Sequence, residues 1–264
     1  MIVSKHPVIF LGAGPGDPEL ITVKGQRALK EAELIIYAGS LVPKELLKWS
    51  KPGVSVLNSA SMHLEQIIDA MVEGYAGGKR VVRLHTGDPS LYGATLEQML
   101  ELERRNVPYA VIPGVTAAFA AAAALGIEFT VPDVSQTLIF TRMAGRTSVP
   151  EPESLASLAS HKASMVIYLS MKLVEQVEAV LRKAYGDRAT CAVVFRASQP
   201  EEKIIVTTLK DLSRRVKEEK ITRHALILVG KVLDVRREGL KHKSKLYDQS
   251  FHHSHRRKDD TQLF

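Results

Sequence analysis

Gly12-Ala13-Gly14-Pro15-Gly16-Asp17-Pro18, followed by Glu19-Leu20-Ile21-Thr22, is the stretch on which the fold turns. The apolar run Val8-Ile9-Phe10-Leu11 just before it reads as a buried strand. The run from Thr22 to Lys30 after it reads as a helix with Thr22 as N-cap. Glycines at alternate positions let backbone come close to something bulky, because no Cβ stands in the way. Pro15 and Pro18 stiffen the loop. A dinucleotide fingerprint starting at Gly12 needs Gly or Ala where Asp17 stands, and Leu34-Ile35-Ile36-Tyr37 runs into Ala38-Gly39-Ser40 instead of a ribose-binding acid. A triphosphate loop needs a closing Gly-Lys-Ser/Thr, which is absent. The loop suits close backbone approach but fits neither standard nucleotide motif; a tight surface turn is the plainer alternative.

Outward from this loop, short apolar runs alternate with helical patterns. Strands are predicted at 7–12, 33–38, 54–58, 79–85 and 109–112, and helices at 62–75, 91–105 and 115–125. On the first of these helices Leu64, Ile67, Ile68, Met71, Val72 and Tyr75 share a face, with Ser61 as cap and Gly77-Gly78 as stop. Such alternation with short links predicts a mostly parallel sheet covered on both faces. The pattern breaks at Phe129-Thr130-Val131-Pro132-Asp133-Val134. It restarts with strands at 137–141 and 165–169, helices at 153–161 and 172–184, strands at 190–196 and 203–208, a polar helix at 209–219 and a strand at 225–230. The consecutive strands near 190–208 predict a hairpin and antiparallel pairing. The expected architecture is α/β: an N-terminal domain over 1–131, a C-terminal domain over 132–250, a ligand cleft between them, and a poorly ordered basic tail over 251–264.

The 264 residues are 45% hydrophobic and 25% charged, the composition of a globular chain with room for one large or two small domains. No apolar run reaches the ~18 residues of a membrane span, and the first residues lack the apolar core of a signal peptide. A single cysteine, Cys191, stands in an apolar run and has no intramolecular disulfide partner. A cytoplasmic location is expected. The net charge of +7 suits an acidic partner, nucleic acid or a small polycarboxylate. With only 6% aromatic residues the stacking platform of an RNA binder is missing, so no nucleic-acid partner is expected. His252, His253 and His255 lack a second ligand cluster, so no protein-bound metal is expected.

Four Gly- or Pro-marked turns follow strands, where open α/β sheets place ligands. They are the opening loop, Thr86-Gly87-Asp88-Pro89 with Leu91, Pro113-Gly114-Val115-Thr116-Ala117 leading into an alanine-rich helix, and Tyr168-Leu169-Ser170-Met171. In this order, with the late apolar strand Ala225 to Gly230, they resemble the tetrapyrrole methylase family over residues 7 to 250. Tyr37 to Pro43, Met62-His63-Leu64, Trp49 with Pro52-Gly53, Thr141 to Thr147 and Ser244 to Asp248 resemble the branch that methylates C-11 of precorrin-4, with or without cobalt, in corrin synthesis.

The resemblance implies S-adenosylmethionine as methyl donor, held by Pro15, Thr86, Gly87, Asp88, Leu91, Thr116, Ala117, Leu169, Ala197 and Ala225. It implies a small-molecule tetrapyrrole substrate and a homodimer; methylation at another tetrapyrrole position, of uroporphyrinogen III or another corrin intermediate, is the alternative. The apolar Leu41, Val42, Leu46, Leu47 and Trp49 in an otherwise polar segment are consistent with an interface. Some relatives carry an acid at the end of the second strand, where this chain has Gly39. The reaction expected is displacement at an activated methyl carbon, which needs alignment and exclusion of water. His63 and His85 are the candidates for a weak base afterwards. Arg142 and Arg146 flank Met143-Ala144-Gly145, and their planar forks suit the acetate and propionate arms of the substrate.

Overall fold

The computed structural model describes residues 6–39, 42–239, 244 and 251. The chain divides into two compact units: residues 1–125 with 194–203, and residues 126–193 with 204–264. The basic tail beyond Phe251, with its three histidines, Ser40, Leu41 and nearly all of the Ser244 to Asp248 stretch lie outside the described residues.

The first unit runs β1 (Val8–Gly12), α1 (Val23–Glu31), β2 (Leu34–Tyr37), β3 (Ser55–Asn58), α2 (Leu64–Ala76), β4 (Val81–His85), α3 (Thr95–Arg104), β5 (Tyr109–Ile112) and α4 (Ala117–Leu125). Among the described residues its sheet has five strands, in the order β3-β2-β4-β1-β5. Every pairing is parallel, with Phe10 beside Arg83 and Gly12 beside His85. The alternation of side chains along each strand splits the core in two. Leu11, Ile35 and Leu84 pack with Leu29 of α1 on one face. Phe10, Ile36 and Val81 pack with Ile68 and Met71 of α2 and Leu102 of α3 on the other. As predicted, Thr22 caps α1, its Oγ1 accepting from the Gly25 amide.

Two readings are corrected here. The cap of α2 is His63, not Ser61, which ends a preceding 3-10 turn; the His63 amide donates to Gln66 Oε1 at 3.1 Å. The apolar segment around Trp49 is no free patch. Val42 and Leu46 are buried, and Leu47 and Trp49 pack on the same core. The Trp49 indole donates to the Pro18 carbonyl at 3.1 Å.

The second unit contains β6 (Leu138–Arg142), α5 (Leu155–Ala159), β7 (Ser164–Tyr168), α6 (Val174–Tyr185), β8 (Thr190–Phe195), β9 (Lys203–Thr208), α7 (Leu212–Glu218), β10 (Ala225–Val229) and α8 (Val232–Glu238). Its sheet, again five strands among the described residues, has the order β6-β7-β10-β8-β9. β6 and β7 are parallel and β10 is antiparallel to β7. The consecutive β8 and β9 are neighbours, as a hairpin requires. Helix α8 was not foreseen. No helix among the described residues is long and apolar enough to cross a membrane.

Candidate functional site

In the first unit the turns after β1, β4 and β5 close on one another. Past the parallel β1–β4 ladder the two segments stay joined: Ala13 N donates to His85 O at 2.7 Å, and Gly14 and Gly87 exchange both backbone hydrogen bonds, at 3.2 and 2.8 Å, in an antiparallel bridge. A Cβ on Gly12 would fall 2.5 Å from Gly114 N and 2.7 Å from Gly87 O. Gly12 is therefore spent on packing turn against turn. Gly87 differs: a Cβ there would meet nothing closer than 3.6 Å, but its φ of +59° is costly for other residues.

Asp88 fastens two of these turns. One carboxylate oxygen accepts from Gly114 N at 2.8 Å, and the other accepts from the amide and hydroxyl of Ser90. Burial alone would raise its pKa, but the bonds from Ser90 and Gly114 outweigh that and hold the carboxyl below its ordinary value. Pro15 and Thr116 are buried, and Thr86, Leu91 and Ala117 are half-buried around the same turns. The opening loop is also tied to residues 194–203 of this unit: Asp17 N donates to Ser198 Oγ at 3.0 Å, and Gln199 Nε2 to Pro15 O at 3.3 Å. Ala197 is buried within that segment.

The second unit brings its own positions together. Leu169 follows β7 with its side chain in solvent, 66% exposed. Continuing the β7–β10 register sets it opposite Ala225. Ser170 Oγ accepts from Met143 N at 2.9 Å, linking the turns after β6 and β7.

Among the described residues, ten non-glycine positions have positive φ, and four of them fall at or beside these places. Leu169, Arg196, Ser198 and His224 all have positive φ, between 47° and 67°. They are Leu169 itself, the residues on either side of Ala197, and the residue before Ala225. A positive φ at a non-glycine residue costs about 1–2 kcal/mol, and such strain collects at functional sites.

The two histidines sit in different settings. His63 is exposed, with Nδ1 2.8 Å from Glu65 Oε2. His85 is buried, stacked on Phe10 with ring centroids 5.8 Å apart. Burial first, and the nearby Arg83 charge second, push its pKa down to about 3. It stays neutral and weakly basic at neutral pH. No acid replaces Gly39: its amide donates to Asn58 Oδ1 at 3.1 Å, and a Cβ would lie 2.4 Å from Asn58 Nδ2.

The two arginines separate. Arg142 folds over its own loop, donating to the carbonyls of Thr147 at 3.2 Å and Ser148 at 2.6 Å. Arg146, on that loop, is exposed and has no partner among the described residues. No group of three or more potential metal ligands occurs among the described residues.

A family model for Tetrapyrrole (Corrin/Porphyrin) Methylases matches residues 7–213. This chain belongs to that family. It is 49% identical over 255 residues to a cobalt-precorrin-4 C(11)-methyltransferase of Methanocaldococcus jannaschii, covering 96% of this chain and 97% of the relative. The fold is similar to the solved structure of a cobalt precorrin-4 methyltransferase of cobalamin biosynthesis, with a TM-score of 0.84 and 47% identity, over 86% of this chain and 95% of the other. It is also similar to a Thermus thermophilus uroporphyrin-III C-methyltransferase solved with S-adenosyl homocysteine, with a TM-score of 0.70 and 28% identity, over 87% and 94% of the two chains. The expectation of a tetrapyrrole methylase α/β fold is thus met.

One buried polar residue, Arg83, was not foreseen from the sequence. The signal was there: a cation in the run Val81-Val82-Arg83-Leu84 on a strand otherwise apolar up to His85. Arg83 is 4% exposed and donates from Nε to Gln98 Oε1 at 3.0 Å and from Nη1 to Ile36 O at 3.3 Å and Ser59 Oγ at 3.1 Å.

Proposed function

We propose that this chain is an S-adenosylmethionine-dependent methyltransferase that methylates C-11 of precorrin-4, or of its cobalt form, in cobalamin biosynthesis. The observation that carries the reading is the near full-length identity of 49% to the cobalt-precorrin-4 C(11)-methyltransferase, joined to the closed set of turns after β1, β4 and β5.

In this reading Pro15, Thr86, Gly87, Asp88, Leu91, Thr116, Ala117 and Ala197 serve the donor. The interlocked turns present fixed backbone polar groups, and the neighbouring Pro, Leu and Ala side chains offer apolar surface. Asp88 acts by holding the turns. Leu169 and Ala225 are further donor positions that the family pattern marks. Arg146 binds a carboxylate arm of the acceptor from the loop that Arg142 braces. Buried, neutral His85 is a poor acceptor for a proton, which leaves exposed His63 as the candidate for the weak base afterwards. The sulfonium donor is already activated, so alignment and water exclusion carry the rate.

The support for S-adenosylmethionine is the family and the relative bound to S-adenosyl homocysteine. A homodimer belongs to the proposal. The exposed Tyr92, Leu96 and Leu100 on and beside α3 favour it, and a monomer in sedimentation at micromolar concentration would remove it. We place the enzyme in the cytoplasm, in keeping with the free buried Cys191; cell fractionation tests this. The test of the reaction is incubation with S-adenosylmethionine carrying a labelled methyl group and with each form of precorrin-4, followed by NMR location of the label. Label at C-11 is expected; label at another carbon, or none, overturns the reading.

A further inference from the structure

Gly16 is the third of the alternate glycines, and Gln199 accounts for it. A Cβ on Gly16 would fall 2.2 Å from Cγ of Gln199. The bare backbone lets the Gln199 side chain lie across the opening loop. From there Nε2 donates to the Pro15 carbonyl at 3.3 Å, while the neighbouring Ser198 Oγ accepts from the Asp17 amide at 3.0 Å. The two contacts join positions 184 and 181 apart in the chain.

The turn that makes these contacts is braced from within. Gln199 N donates to Arg196 O and Glu202 N to Gln199 O, both at 2.9 Å. Glu202 Oε2 accepts from Ser198 N at 2.7 Å, and Arg196 Nη1 lies 3.1 Å from Glu201 Oε1. These bonds hold Ser198 at its φ of +67°, so its hydroxyl is presented from a stiff turn at a cost in backbone strain.

The opening loop has two other anchors. The Gly14–Gly87 bridge holds its start, and the Trp49 indole holds the Pro18 carbonyl at its end. Ser198 and Gln199 grip Asp17 and Pro15 between them. Two of the proposed donor positions meet at this junction: Pro15 on the loop, and Ala197 on the braced turn beside Ser198, both of them buried. The hydrogen bonds of Ser198 and Gln199 set one against the other.

We infer that Ser198 and Gln199 are positioning residues for the methyl donor, which act through the opening loop by fixing Pro15 relative to Ala197 before the donor binds. The inference rests on the proposed donor role of Pro15 and Ala197. Holding a loop in its binding conformation raises affinity, because the ordering cost is removed from the binding step. Without the two bonds the loop keeps its end anchors, and the donor itself must order the residues between them.

The test measures S-adenosyl homocysteine affinity of the whole chain by calorimetry, with thermal melting beside it. Ser198→Ala and Ser198→Gly both remove the hydroxyl, but glycine also relieves the left-handed strain. Both are expected to weaken S-adenosyl homocysteine about three- to tenfold. Melting is expected to separate them: lower than wild type in Ser198→Ala, and close to wild type in Ser198→Gly, where relief of strain offsets the lost bond. Affinity then follows the hydroxyl while stability follows the backbone, which a merely structural contact would not produce. Gln199→Met keeps an unbranched stem over Gly16 and removes the amide donor. It is expected to weaken S-adenosyl homocysteine by a similar factor, and it keeps the inference testable if the Ser198 variants do not fold. Wild-type affinity in folded Ser198→Gly and Gln199→Met proteins overturns the inference and leaves the donor reading intact. So does an affinity that falls in Ser198→Ala and recovers in Ser198→Gly, because the effect would then be one of stability. A wild-type chain that does not bind S-adenosyl homocysteine removes the donor reading itself, and the inference with it.

Discussion

Replacing His85 by Phe tests the physical account of the first sheet directly. The imidazole is 4% exposed, and its pKa is pushed from 6.5 to about 3. Between those values the unfolded chain binds a proton that the folded chain refuses, so stability must fall as pH drops from about 6.5 toward 3. Above about pH 7 both states are neutral and the group contributes no pH dependence. At pH 5 the unfolded histidine lies about 1.5 pH units below its pKa, which corresponds to about 2 kcal/mol lost by the native protein. Phenylalanine has no proton to bind, and its ring can keep the 23° stack on Phe10. Urea unfolding at several pH values gives the measurement. The variant is expected to gain about 2 kcal/mol on the wild type between pH 7 and pH 5. At pH 7 it should be no less stable, because leaving a polar nitrogen unpaired in the interior costs about 1–3 kcal/mol. Parallel stability curves for the two proteins would refute the reasoning. They would mean that the folded protein accepts the proton and that the site is open to water.

Arg146→Ala is expected to raise the KM for the tetrapyrrole about tenfold and leave the melting temperature unchanged. Arg142→Ala should release the 143–148 loop, seen as faster proteolysis there; equal effects of the two changes on KM alone would defeat the division of labour. Leu169→Gly should relieve left-handed strain and stabilise the protein by about 1 kcal/mol, while S-adenosyl homocysteine affinity falls in calorimetry. Unchanged affinity would make this leucine an ordinary surface residue.

The strand and helix order was legible because the signals were local. Buried parallel strands such as Leu34–Tyr37 read as apolar runs, and Thr22 and Gly77 punctuate helices in recognisable ways. The α2 cap was misread because histidine is not a usual N-cap, and only the reach of Gln66 back to the His63 amide identifies it. The segment around Trp49 looked like an interface because its burial depends on residues distant in sequence, Pro18 among them. Arg142 and Arg146 looked equivalent by spacing. Their difference comes from carbonyls at 147 and 148 that turn back on one guanidinium and not on the other.

The deeper gap concerns what the glycines do. From sequence, the alternate glycines of the opening loop suggested room for a ligand. In the structure, Gly12 makes room for Gly114 and Gly87, so its spacing is a rule for joining three turns. Four positions elsewhere show the reverse case. Leu169, Arg196, Ser198 and His224 adopt backbone angles that favour glycine, yet none is glycine. Stability alone would favour glycine there, since each substitution would relieve strain of about 1–2 kcal/mol. The chain nevertheless carries side chains at all four places, one of them a leucine standing 66% in solvent. For Leu169 the proposed role is contact with the donor, and no propensity scale applied to the sequence would have singled it out.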